Sequence, residues 1–365
     1  MIAFLLAQTI AITGGTVYPV SGPKIENATV LIRDGKIAAV GANVAVPAGA
    51  TRIDASGKWV TPGFIDGAGQ MGLREIGAVD NTNEYRLRGN DVAASFNVLE
   101  GINPASTLIP VTRVEGVTTT LAAPASGWIS GQAVLIDLDG ATIEQMLVRS
   151  PVGMLVDLSE GSKSAGGGSR AGVAQRLRRV FSDALEYSRR RTEYTRAQMQ
   201  QLAAPAADLE ALLPVLRGQE PLIAFANRRS DMETALRIGR EFKLKLILAG
   251  AQEGWMIAPE LAAAGVPLLV QPLDNIPSYD ALGVRYENAA ATSLPRNAPS
   301  LVALTALISV RPSWVPPSIR PGVTHLPRAS MRVASPGTVT AGPTAVIRPS
   351  RIRTVAFSIL GPETG

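Results

Sequence analysis

The 365-residue chain predicts an α/β protein in which a small β domain leads into parallel βα units folded as a barrel or a layered sheet. Three observations predict it. From Thr9 to Val60 the sequence consists of short β-branched runs broken by turn residues. From Pro221 to Val270 strand and helix patterns alternate. The composition is 46% hydrophobic and 18% charged, against roughly 25% charged in average domains, which favours a compact fold. The length suits one large barrel with an appendage, or two domains.

Met1-Ile-Ala-Phe-Leu-Leu-Ala-Gln8 has an apolar stretch and a small residue before Gln8, as at the end of a secretory leader, but no basic start. Residues 1–8 are therefore weighed as a leader remnant against an ordinary apolar first strand. The following runs, Ile10 to Ile12, Thr16 to Val20, Thr29 to Ile32 and Lys36 to Val40, read as a β-meander. Asp34-Gly35 is its clearest hairpin signal, because both residues tolerate the positive φ of a tight turn. Ser126 to Gln132 reads as a conformationally demanding loop, and Ser162 to Ser169 as a flexible one.

Val173, Leu177, Val180, Phe181, Ala184 and Leu185 then recur at helical spacing. Arg176, Arg178, Arg179, Arg189, Arg190 and Arg191 lie largely around the other side. Such a face suits an anionic surface or acidic partner; the solvated outer helix of a barrel is preferred. Leu222 to Ala226 reads as a buried strand, and Ser230 with Glu233 as a capping box opening a helix to Phe242. Leu244 to Ala249 is the next strand. Trp255 to Ala264 is a helix stopped by Gly265, and Val266 to Val270 follows as a strand. From residue 291 the sequence becomes dense in Pro, Arg, Ser and Thr, with no sustained period. It reads as an irregular tail or as translation in a shifted frame.

Several function classes are excluded or weakened. The absence of cysteine removes disulfides, thiolate metal sites and thiol nucleophiles. The net charge of +5 is carried by confined arginine clusters without interleaved aromatics, so no nucleic-acid partner is expected. No apolar run approaches the ~20 residues that span a bilayer, so no integral membrane segment is expected. The glycine stretches lack P-loop and dinucleotide spacing. A serine triad has no base except His325, the single histidine.

Gly57-Lys-Trp-Val-Thr-Pro-Gly-Phe-Ile-Asp66 resembles the entry to the barrel in the amidohydrolase superfamily. Thr13-Gly-Gly-Thr-Val17 and Val30-Leu-Ile-Arg-Asp-Gly-Lys-Ile-Ala-Ala-Val-Gly41 are similar to that family's N-terminal strands in order and spacing. The resemblance spans residues 9 to 290 and is closest to the imidazolonepropionase-like branch. It implies a (β/α)8 TIM-like barrel with a small N-terminal β-sandwich composite domain and an atypical C-terminal part. The implied division is 1–8 leader remnant, 9–63 composite domain, 64–290 barrel and 291–365 tail.

Metal-dependent members follow this entry with His-x-His, and those places here carry Ala68 and Gln70. Two later ligand histidines align with Phe225 and Gly250. A methyl group offers no lone pair, an amide is a poor ligand, and one histidine cannot supply four imidazoles. The family would use zinc or another divalent metal; none is expected here, and no catalytic residue is assigned. Asp66, Gln70, Asn227 and Asp274 are the expected pocket lining, since such barrels place their sites at the C-terminal strand ends. Asp66, Glu75, Asp80, Glu84 and Asp274 are weighed as an acid–base or hard-cation set against ordinary loop charges and caps, which are preferred.

The expectation is a superfamily member without metal-dependent catalysis, binding a small molecule or serving as a partner subunit, with self-association left open. The alternative is a hydrolase of carbon–nitrogen bonds other than peptide bonds, acting on small amides or lactams. A leader would place the chain in the periplasm; without one it is cytoplasmic.

Overall fold

The computed structural model describes residues 9–20, 22–89, 91–125, 127–271, 276–293, 302–304 and 357–360. A first sheet contains β1 (Thr9–Val17), β2 (Ile25–Arg33), β3 (Lys36–Gly41), β4 (Thr51–Asp54) and β5 (Trp59–Pro62). The turn between β2 and β3 has φ of 50° at Asp34 and 72° at Gly35, and Arg33 pairs with Lys36, as the hairpin signal requires. The runs on either side of Gly14-Gly15 form one strand, β1, with register breaks between Ile12 and Val17. Ile10, Ile12, Val17, Val30, Ile32 and Val60 are the buried centre of this domain.

The second sheet carries the barrel strands β6 (Phe64–Gly69), β7 (Val117–Ala122), β8 (Ile129–Asp137), β9 (Leu147–Asp157), β10 (Leu222–Ala226), β11 (Leu246–Gly250), β12 (Leu268–Val270) and β13 (Val302–Leu304). They are neighbours in sequence order, with β6 and β13 at the two ends. The helices are α1 (Leu108–Val114), α2 (Ile143–Met146), α3 (Arg170–Arg189), α4 (Arg191–Thr195), α5 (Ala206–Leu216), α6 (Arg229–Glu241), α7 (Ala258–Ala264) and α8 (Asn288–Ser293). From β9 to β13 every pairing is parallel, with helices in each crossover. A last strand, β14 (Phe357–Leu360), pairs antiparallel with β5, so the tail contributes a strand to each sheet.

This is the expected α/β, TIM-like barrel sheet with a small N-terminal sheet domain, although among the described residues no pairing of β6 with β13 closes it and one strand departs in direction. β8 runs antiparallel to both β7 and β9. The links 123–128 and 138–146 are shorter than the roughly a dozen residues a parallel crossover takes, so the chain turns back instead. Ile129 to Gln132, expected as loop, therefore belongs to β8, with Trp128 buried beside it. Ser162 to Gly166, also expected as loop, lies in a 3-10 helix, Glu160–Gly166.

The two faces of the barrel sheet are distinguished by packing. Leu121, Ala133, Ile223 and Ala249, with Leu155, Phe225 and Ile247 against them, form a cluster drawn from strands alone, which is the lumen. Val156, Ala224 and Leu248 pack outward against Val173, Leu177, Phe181, Leu212 and Met232 of the helices. The stripe of α3 is buried as its spacing predicts, and Ser169 caps the helix by accepting from Gly172 N at 3.0 Å. Most arginines of this face are engaged: Arg176 with Asp91 and Arg178 with Glu241 in α3, and Arg190 with Glu186 and Arg191 with Glu210 just beyond it. These pairs fit a solvated outer helix.

The expected capping box at Ser230 is not formed. The N-cap of α6 is Arg228, two residues earlier, and the free amide of Arg229 donates to Glu253 Oε2 at 2.8 Å. Glu233 instead pairs with Arg229. Trp255 to Ala264 divides into a 3-10 turn, Gly254–Ile257, and α7, which stops at Gly265 with φ of 61°. Among the described residues no helix is long and apolar enough to cross a membrane.

Candidate functional site

A polar network stands at the C-terminal ends of β9, β10 and β11. Its hub is Arg170, at the first turn of α3. The guanidinium meets three carboxylates: Asp231 at 2.9 Å, Glu160 at 2.7 Å and Asp280 at 3.0 Å. Asp280 also accepts from Glu160 N at 2.9 Å and from Asn227 Nδ2 at 2.7 Å. Lys163 adds a second cation on Glu160 at 2.9 Å. These hydrogen bonds tie helix N-termini and strand ends into one constellation.

Three carboxylates, Glu160, Asp231 and Asp280, thus share Arg170; Lys163 adds to Glu160 alone, and Asp157 stands beside them, accepting from Ser159 N at 2.8 Å. Lys163 and Arg170 hold Glu160 below the usual carboxylate range. Burial pushes Asp157 up, opposed by its bonds to Ser159, and the Asp280 charge adds to the rise. Burial also raises Asp231, against the pull of Arg170. An acid at the end of β9 is thereby held partly towards its protonated form.

Segment 276–287 lies across these groups as a strap. Asp280 fixes its middle, and Arg228 Nη2 donates to Tyr279 O at 2.5 Å. Beyond that, Gly283 N donates to Glu253 Oε1 and Trp255 Nε1 donates to Gly283 O, both at 2.8 Å. Ile276, Leu282 and Tyr286 of the strap stand exposed.

Asn227 is buried under the strap. Its Oδ1 has no hydrogen-bond partner. Gly250, with φ of 82°, is the reason Asn227 fits, because a Cβ there would run into Oδ1 and the Phe225 ring.

The other residues singled out in the sequence are placed elsewhere. Asp66 pairs in register with Thr120 and accepts from its Oγ1 at 2.9 Å. Since the adjacent Leu121 points into the lumen, Thr120 and Asp66 share the opposite face. Burial raises the Asp66 pKa. Gln70 follows β6, and its Oε1 accepts from Arg74 at 3.3 Å. Glu75 accepts from Asn103 and Thr107, and Asp80 pairs with Arg86 and Arg88, so both serve the loop after β6. Asp274 and His325 lie outside the described residues.

The network thus contains Asn227 but neither Asp66 nor Gln70. Arg170, Asp157, Asp231, Glu253 and Asp280 were not foreseen as site residues. One signal was available for four of them: Asp157 ends a strand, Glu253 closely follows one, and Arg170 and Asp231 open helices, where such barrels gather their functional groups; Asp280, midway between β12 and α8, carries no such mark. Among the described residues no group of three or more His, Cys, Asp or Glu side chains is arranged to hold a metal ion.

The fold and the position of this network define a (β/α)-barrel protein with an appended β domain. No protein-family profile matches the chain. An amidohydrolase from Thermotoga maritima MSB8 superposes with a TM-score of 0.68 at 27% identity, covering 78% of this chain and 76% of that one. A dihydroorotase from Pelotomaculum thermopropionicum is 59% identical over 58 residues, 16% of this chain and 13% of that protein. An imidazolonepropionase from Mycolicibacterium smegmatis is 39% identical over 64 residues, 18% of this chain and 15% of that protein. These matches therefore span only a small fraction of either relative. The chain belongs to the amidohydrolase superfamily.

Proposed function

We propose that this barrel does not perform metal-assisted hydrolysis and acts as a binding protein or partner subunit, with a small polar ligand docking at the C-terminal strand ends. The observation that carries the reading is the donor chemistry at the four places where metal-dependent relatives are expected to hold their ion. Ala68 offers a methyl group and Phe225 a ring packed in the lumen. Gln70 is already bonded to Arg74, and the space above Gly250 belongs to Asn227. These groups do not fit a zinc-like ion, which takes imidazole nitrogen or carboxylate oxygen. Without the ion there is no activated water and no polarised carbonyl.

In the binding role the Asn227 amide is the natural contact, because its unpartnered Oδ1 would accept a ligand N–H or O–H and relieve a buried polar atom. Access requires the strap to lift from Asp280. No nucleic acid enters this reading, since Arg176, Arg178 and Arg191 of the basic face are engaged with carboxylates of the chain itself. Elemental analysis of the purified full chain is expected to find no stoichiometric zinc, and zinc added back is expected to produce no turnover of small amides or lactams. A tightly held stoichiometric metal accompanied by hydrolysis overturns the proposal.

A second reading, a metal-independent hydrolase of carbon–nitrogen bonds in small amides or lactams, is favoured by Asp157 alone. A carboxyl raised by burial can donate a proton to a leaving nitrogen nearer neutral pH. Zinc-independent turnover abolished by Asp157→Asn would select this reading over the first.

A further inference from the structure

The opposite end of the barrel carries a cleft of about 1050 Å³, between α6, α7 and the starts of β9, β10 and β11. Its volume is at the top of the range of roughly 300–1000 Å³ for small-molecule pockets. Val152, Leu236, Leu246, Val266 and Pro267 give it an apolar floor. Around them stand Arg149, Arg237, Arg240, Lys243 and Lys245, against two acids, Glu233 and Glu260.

None of the five cations forms an ion pair with a described residue, whereas Glu233 is taken up by Arg229. The C-terminal ends of α6 and α7 also face this side, each equivalent to roughly half a negative charge. Together they offset about one of the three net positive charges, so the cleft stays electropositive.

Lys243 supplies an independent sign. It follows Phe242, the C-cap of α6, with φ of 56°, a left-handed conformation that L side chains rarely adopt. The left-handed position after α7, in the same cleft, is Gly265. A lysine is thus kept where glycine would be less strained.

We propose that this cleft binds a small anionic amphiphile, an apolar body carrying one carboxylate or phosphate head, with the body on the floor and the head between Arg240, Lys243 and Lys245. The chain's own tail is a poor occupant by charge. Beyond Leu304 it has seven arginines and a single acidic side chain, Glu363. The site is independent of the proposal for the mouth, because it shares no residue with the network around Arg170.

The test uses the full chain and titration calorimetry with decanoate, decyl phosphate and neutral decanol, each below its aggregation limit. One-to-one binding of at least one of the two anions is expected, with decanol at least tenfold weaker; the preferred anion identifies the head group. Lys243→Glu with Lys245→Glu is expected to weaken binding at least tenfold. Lys24→Glu with Lys36→Glu changes the net charge equally on the β domain and should leave affinity within twofold. Lys243→Gly separates function from fold: it should melt no lower than the parent yet bind the anion several-fold more weakly. Absence of saturable anion binding, equal binding of decanol, or an equal loss in the β-domain control overturns the proposal. So does undiminished binding by a folded Lys243→Gly protein.

Discussion

The two ends of the barrel handle charge in opposite ways. At the C-terminal end, three carboxylates and two cations are bonded into one network and covered by the strap. At the N-terminal end, five cations surround an open apolar floor and pair with no described acid. Barrels of this kind ordinarily expose chemistry at the first end and use the second for stability. Here the end expected to be open is held shut by polar bonds, while the end expected to be structural is accessible. Under the two proposals, it is local charge balance and not position in the fold that decides which end of this barrel meets a ligand.

The contrast breaks first at Arg170. Arg170→Met keeps an apolar stem but leaves Asp231, Glu160 and Asp280 facing one another, and should destabilise the fold by about 3 kcal/mol. A urea midpoint unchanged by this substitution would show that the charges do not hold that end shut. Hydrogen exchange in segment 276–287 should accelerate in the same variant.

A smaller effect is expected for Gly250→Ala, about 1–3 kcal/mol, from its positive φ and the collision with Asn227. In an Asn227→Ala background only the backbone part should remain, so the double-mutant cycle should be non-additive. Full additivity would mean that the two positions do not share the space.

The smallest effect sharpens the comparison through pH. Because burial raises Asp157, its protonated form contributes stability that is complete below the unfolded pKa and is lost as pH rises through the folded one. Asp157→Asn should therefore raise Tm by about 2–4 °C for each kcal/mol relieved at neutral pH. The gain should shrink on acidification and vanish below about pH 4, where the carboxyl is protonated in both states. A gain independent of pH would assign the effect to packing.

The sequence revealed most where structure is local. Asp34-Gly35 specifies its hairpin within two residues, and strand β10 matches the expected Leu222 to Ala226. The amphipathic period of α3 likewise identifies its buried face. The network was harder to see because its partners are far apart: Arg170 reaches Asp231 across 61 positions and Asp280 across 110. Ser230 illustrates how a local rule loses to a distant group, since α6 starts ahead of Ser230 and its first amide, that of Arg229, is taken by Glu253 from beyond β11. Asn227 was legible because it directly follows a barrel strand, whereas the outward turn of Asp66 depends on its pairing with Thr120, which no spacing reveals.

Gly250 also bears on what the barrel mouth can tolerate. Any larger residue placed there must first dislodge the Asn227 amide, and with it the bond to Asp280 that pins the strap. A change at one glycine is therefore felt in segment 276–287, relayed by a single intervening amide.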